Sequence, residues 1–117
     1  MTAQRIAYGT VSSAGSDVVV YTVPRHSRAI IASLVMTNVS QNDDVEVSVK
    51  VSVGSGIFRV LPDGLVIRAR DSFHLITPIS IEQNERLSIQ VSIASSIEYY
   101  VTAYFETAIA TPTDRAE

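Results

Sequence analysis

Between residues 45 and 53, five valines alternate with glutamate, serine and lysine, so that every second side chain is apolar. Successive side chains of a β-strand point to opposite faces of a sheet, whereas a helix needs apolar residues three and four positions apart. The segment therefore predicts a strand with one buried face. The alternation returns at residues 87–93 and 97–105, and Ser95 and Ser96 between them favour a turn, so these two segments are expected to form a hairpin.

Further short apolar runs are separated by glycine, proline, asparagine and aspartate, the residues typical of turns. These runs are residues 6–11, 17–23, 29–39, 56–61, 65–68 and 72–76. About eight strands at intervals of about ten residues are typical of an antiparallel sandwich. The sequence predicts an all-β, jelly-roll-like antiparallel β-sandwich over residues 1–107, followed by a tail, residues 108–117, that is flexible or docked on a partner.

The composition narrows the choice of partners. Apolar residues make up 46% of the 117 residues and charged residues 18%, and a small domain buries only part of such a surplus, so self-association is expected. The net charge of −3 comes without a basic run, which argues against nucleic acid. No apolar stretch is long enough for a membrane. Cysteine is absent, and the N-terminus predicts no secretory signal, so synthesis in a cytoplasm is expected.

Two segments supply candidate interface residues. The run 29–39 is apolar on both faces, with Ile30 on one and Ile31 and Val35 on the other. This pattern fits a central strand covered by a loop, or a subunit interface. Tyr100 and Tyr104 lie on the face of the last strand opposite to the core side, where they are expected either to pack in a second layer or to contact another protein.

The chemistry-bearing side chains form no recognisable site. His26 and His74 have no acid or cysteine spaced around them in a ligand or catalytic pattern. Asp43 and Asp44 are adjacent, whereas a calcium loop supplies oxygens at alternating positions, so a solvated turn is favoured. Asp71 and Glu85 each open an alternating strand, where a carboxylate is expected to accept backbone N–H groups of the turn. The sequence predicts no enzyme, no cofactor and no metal.

Four short motifs resemble a family of proteins. They are residues 20–24 (VYTVP), residues 29–38 (AIIASLVMTN), residues 70–73 (RDSF) and residues 84–88 (NERLS). Together with the final aromatic strand they resemble small virion proteins of tailed bacteriophages, over about residues 18 to 106. In that family a glycine usually precedes each of the two acidic turn residues, whereas this chain has Arg70 and Asn84 there.

The resemblance implies a structural component of the virion, assembled in the cytoplasm of a host bacterium. We expect a capsid decoration (cement) protein that contacts the major capsid protein, or else a tail, neck or fibre component. A different class, a glycan-binding module for host attachment, requires an exposed aromatic platform, and tryptophan is absent. Tyr8, Tyr100 and Tyr104 are the candidates for such a platform.

Overall fold

A computed structural model describes residues 3–76 and 78–107. These residues form strands and no helix, which confirms the all-β prediction. The tail, residues 108–117, lies outside the described residues. The strands are β1 (Gln4–Thr10), β2 (Val18–Thr22), β3 (Ser27–Asn38), β4 (Val45–Val53), β5 (Gly56–Arg59), β6 (Leu65–Ile67), β7 (Ser72–Leu75), β8 (Ile79–Ile81), β9 (Arg86–Val91) and β10 (Ile97–Thr107).

The strands form two antiparallel sheets that pack face to face. The first sheet has the order β1-β10-β3-β7, with β8 also paired to β3, and the second has the order β2-β9-β4-β5, with β6 also paired to β4. β7 and β8 are therefore two parts of one interrupted edge strand, and β5 and β6 are two parts of another. Counted in this way, the described chain has eight strands in the order of a jelly roll.

The predicted hairpin of the last two strands is wrong. β9 pairs with β2 and β4 in the second sheet, whereas β10 pairs with β1 and β3 in the first. The segment 92–96 carries the chain across: the Ser95 N–H donates to the Val11 carbonyl at 2.9 Å, and the Val39 N–H donates to the Ser96 carbonyl at 2.9 Å. Alternation tells which face of a strand is buried, but it does not tell which strand lies alongside.

One continuous hydrophobic core lies between the sheets. Four of the five alternating valines of β4, at positions 45, 47, 49 and 51, are buried as the sequence predicts, whereas Val53 at the end of the strand is exposed. Ile89 and Val91 of β9 lie beside them, and Leu34 and Met36 of β3 face them from the first sheet. Burial of this apolar surface is the main source of stability for a domain without disulfides.

A β-bulge in β3 corrects the prediction for this strand. Ser33 pairs with Thr102 and Ile31 with Ala103, so Ala32 has no partner on β10 and the alternation of side chains shifts by one residue. Ile31 is 2% exposed and belongs to the core, so it is not available as an interface residue. Its neighbour Ile30 lies on the outer face. The strand is central, between β10 and the interrupted edge β7–β8.

The residues directly before Asp71 and Glu85 have positive φ angles. Arg70 and Asn84 have φ angles of 62° and 64°, in the left-handed region that glycine adopts without steric cost. The following carboxylates accept backbone N–H groups, as predicted. Asp71 Oδ1 accepts from the Ser72 N–H at 2.8 Å, and Glu85 Oε1 accepts from the Glu82 N–H at 3.0 Å.

The substitution Arg70→Gly is therefore expected to raise the free energy of unfolding by about 0.5–1 kcal/mol. It removes a steric cost of about 1–2 kcal/mol, and the greater freedom of glycine in the unfolded chain offsets part of the gain. Urea unfolding followed by circular dichroism measures the change. Arg68→Gly, at an exposed position close by whose φ is not positive, is the control and is expected to destabilise. Equal effects of the two substitutions contradict the assignment of strain to Arg70.

Candidate contact surface on the outer face of the first sheet

The outer face of the first sheet carries two rows of apolar and aromatic side chains. Residues paired directly across antiparallel strands project to the same face of the sheet. One row runs Tyr8, Tyr100, Val35 and His74, across β1, β10, β3 and β7. A second row runs Tyr104, Ile30 and Ser80, across β10, β3 and β8. We call Tyr8, Ile30, Val35, Tyr100 and Tyr104 together the aromatic face.

The aromatic face is open to solvent in the single chain. The exposed fractions of Tyr8, Tyr100 and Tyr104 are 64%, 45% and 37%, while Ile30 and Val35 are half-buried between neighbouring strands. The structure thus brings four of the five interface candidates of the sequence, Ile30, Val35, Tyr100 and Tyr104, onto one surface. That this surface contacts a partner stays a prediction.

The second sheet has a different outer face. Its centre is polar, since Ser48 pairs with Gln90 and Lys50 with Ser88. The Lys50 ammonium group lies 3.1 Å from Asp17 Oδ1, so an ion pair adds to the polarity of this face. The exposed apolar residues of this face include Ile57 and Val66, which stand on the edge strands β5 and β6 rather than in the centre. On the first sheet the two rows of apolar and aromatic residues lie on either side of one polar pair, Ser33 and Thr102, whose hydroxyl groups are 2.7 Å apart. The central strands of this sheet therefore carry more outward apolar surface than those of the second sheet, and this difference makes the first sheet the candidate contact surface.

A cavity of about 360 Å³ opens at one end of the aromatic face. Its lining consists of Tyr8, Gly9, Thr10, Val35, Thr37, Glu98, Tyr99 and Tyr100. A Cβ atom at Gly9 would lie 3.1 Å from the Tyr99 hydroxyl, so the absence of a side chain at this position leaves room for that ring. The guanidinium carbon of Arg5 lies 4.6 Å from the centre of the Tyr8 ring, within the range of a cation–π contact.

Sequence reasoning did not identify this cavity. Glu98 and Tyr100 are two residues apart on β10, so they share a face, and that much is visible in the alternation. Thr10 and Thr37 join them only through the pairing of β10 with β1 and β3, which places both threonines opposite Glu98. The pairing of strands distant in sequence is not encoded in the period of any one strand.

The histidines lie apart from one another and have structural surroundings. The His74 ring nitrogen Nε2 is 3.1 Å from the Ser72 hydroxyl on the same strand. His26 lines a cavity of about 240 Å³ together with Glu82 and Glu106. Both carboxylates of that cavity pair with the Arg28 guanidinium, at 3.4 Å and 3.5 Å, so they are engaged by a cation other than imidazole.

The candidate calcium loop is a capped turn. Asp44 Oδ1 accepts a hydrogen bond from the Ala69 N–H at 3.1 Å, and the Asp43 N–H donates to the Ser40 hydroxyl at 3.0 Å. Within the residues that the structure describes, no three histidine, aspartate or glutamate side chains are grouped as metal ligands.

Comparison with models of known protein families gives no match, and comparison with curated proteins gives none either. The described residues contain no helix long and apolar enough to cross a bilayer. What is established for this chain is therefore its fold: a jelly-roll-like β-sandwich whose second sheet has a polar outer centre and whose first sheet carries the aromatic face.

Proposed function

We propose that this chain is a non-enzymatic structural protein of a bacteriophage virion, a capsid decoration (cement) protein that stabilises the head through protein–protein contacts. The observation that carries the proposal is the aromatic face, where exposed tyrosines and half-buried aliphatic residues form two rows across the strands of one sheet. Tyrosine is enriched at protein interfaces because its ring is apolar and its hydroxyl is polar. The motif resemblance to small virion proteins supports the same class.

The whole outer face of the first sheet, of which the aromatic face is a part, is large enough for a specific interface. β10 has 11 residues, which gives the face a length of about 36 Å, and four paired strands are about 19 Å wide. The product, about 700 Å², is close to the roughly 800 Å² that each partner contributes to a standard interface. In a decoration protein, this surface lies against the major capsid protein or against a neighbouring copy, and many copies bridge the shell.

A pair of double variants tests whether this face makes the contact. Ile30→Ser with Tyr104→Ser alters the aromatic face. Ile57→Ser with Val66→Ser is the control and removes two apolar side chains, both more exposed than Ile30 and Tyr104, from the outer face of the second sheet. We expect the first double variant to lose about tenfold or more in affinity for particles that lack the protein, because truncation of central interface residues typically costs more than 1 kcal/mol each.

The control double variant is expected to bind like the unmodified chain. Cosedimentation with particles measures the affinity, and thermal unfolding verifies that both variants are folded. Equal losses in the two variants, or a loss confined to the control, place the contact elsewhere and overturn the assignment of this face.

A tail, neck or fibre position is the alternative within the same class. Head decoration needs many copies spread over the shell, whereas a tail or neck component forms a ring of few copies. The number of copies bound per particle therefore separates the two positions.

A glycan-binding module is the second candidate function, and one observation favours it. Tyr8 and Tyr100 stand directly opposite each other at the cavity of the aromatic face, a pair of exposed rings on which a sugar can stack. Tyr104 lies in a different row and does not join them. Binding of defined oligosaccharides on a glycan array supports this function, and its absence on all of them removes it.

A further inference from the structure

Glu98 is the charged residue in the lining of the cavity next to Tyr8 and Tyr100. Its carboxylate forms no ion pair or side-chain hydrogen bond with any residue that the structure describes. Tyr100 is two positions away on the same strand and face, and the Thr10 and Thr37 hydroxyl groups stand on either side of Glu98 in the neighbouring strands. The cavity thus combines a negative charge with aromatic rings and hydroxyl groups.

Such a combination favours a planar cation. A guanidinium group donates two parallel hydrogen bonds to a carboxylate and stacks on aromatic rings. An ammonium group is a compact point charge without this planar geometry. The chain itself shows that the Tyr8 ring attracts this group, because Arg5 already stacks on it at 4.6 Å. The Tyr100 ring offers stacking, and the Glu98 carboxylate offers two hydrogen-bond acceptors, to a guanidinium group of another chain.

We propose that the cavity receives an arginine side chain from the virion protein that this chain contacts. The inference rests on the proposed function and adds the chemistry of the partner: an exposed arginine flanked by apolar residues that cover the rest of the aromatic face. The volume of about 360 Å³ is at the lower end of the range for ligand pockets, which suits one side chain better than an oligosaccharide. Arginine is also enriched among the residues that dominate interface energies.

A small probe tests the chemistry of the cavity on the full chain. The probe is arginine with its amino group acetylated and its carboxyl group amidated, so that the guanidinium is its one charge. Titration followed by NMR is expected to shift the signals of Tyr8, Tyr100 and Glu98 with a Kd in the millimolar range, as for a single side chain. The matching citrulline derivative, which has the same shape without the charge, is expected to bind at least about tenfold more weakly.

Two variants locate the effect. Glu98→Gln is expected to weaken binding of the arginine probe by about tenfold, because it removes the charge and one of the two equivalent acceptors. Glu106→Gln is the control, since Glu106 lies on the same strand and face but outside the cavity. It is expected to leave the affinity unchanged. The inference is overturned if the arginine probe does not bind, if the citrulline derivative binds equally well, or if the two variants have equal effects. Preferred binding of a neutral oligosaccharide at these residues also overturns it.

Particle binding separates this inference from the proposed function. If the unmodified chain binds particles and Glu98→Gln binds them with the same affinity, the arginine inference fails and the structural function stands. If the unmodified chain binds no particle, the proposed function fails. The inference that a virion protein supplies the arginine then fails as well. Loss of particle affinity in Glu98→Gln, with Glu106→Gln unchanged, is the result expected.

Discussion

Asn38→Asp is expected to lower the free energy of unfolding by about 3–5 kcal/mol at neutral pH, enough to unfold a domain of ordinary stability in part. The Asn38 side chain is completely buried. Its Nδ2 donates to the Asp43 carbonyl at 2.8 Å and to the Ile67 carbonyl at 2.9 Å, and its Oδ1 accepts from the Ser40 N–H at 2.9 Å. The amide therefore ties the loop after β3 to the end of β6.

A carboxylate at this position has the same shape but no donor. Two carbonyl oxygens lose their hydrogen bonds, and they face a buried negative charge instead. Burial and these carbonyls raise the pKa of the introduced carboxyl group above its value in the unfolded chain. The folded state then binds the proton more tightly, so the destabilisation is smallest below a pH of about 4 and grows as the pH rises.

Urea unfolding at acidic and neutral pH measures both effects. Asn42→Asp, an exposed position in the same loop, adds the same charge at the surface and is expected to change the stability by less than about 0.5 kcal/mol. Equal stability of the two variants at neutral pH contradicts the role assigned to the buried amide.

Ile31→Ala is expected to lower the free energy of unfolding by about 2–5 kcal/mol, whereas Ile30→Ala is expected to cost about 1 kcal/mol or less. The two residues are neighbours in the sequence and identical in type. Ile31 is buried in the core, where its removal leaves a cavity, and Ile30 lies half-buried on the outer face beside Tyr104. The difference between the two variants measures the shift that the bulge at Ala32 introduces.

Denaturant unfolding of both variants under the same conditions tests this pair. A larger loss for Ile30→Ala than for Ile31→Ala corresponds to a strand without the bulge and contradicts the observed register. Leu34→Ala serves as an internal reference, because Leu34 faces the core on the other side of the bulge and is expected to cost as much as Ile31→Ala.

The sequence predicts the class of the fold because period-two alternation follows directly from strand geometry. The valines of β4 carry it without interruption, and four of the five are buried, while Val53 lies at the exposed end of the strand. The buried face of β3 is harder to predict, because Ala32 has no partner on β10. Even-numbered residues face the core after this bulge and odd-numbered residues before it. No local preference in an apolar run marks such a bulge, so the prediction that Ile31 shares a face with Val35 is wrong.

The sequence also did not predict which strands pair with each other. β9 and β10 follow each other closely and look like a hairpin, yet they belong to opposite sheets. The candidate surface depends on this topology. Because β10 lies between β1 and β3, Tyr8 and Val35 are placed on either side of Tyr100. Alternation identifies Tyr100 and Tyr104 as outward residues. It does not show that Glu98 lies between threonines of the two neighbouring strands.

The number of copies that bind to particles lacking the chain is the most direct measurement of whether it binds virions as a structural component. Purified protein, with its oligomeric state first determined by light scattering, is mixed with such particles and the bound copies are counted after sedimentation. We expect saturable binding of an oligomer at high copy number, in proportion to the subunits of the shell. An inert monomer that binds no particle contradicts the claim.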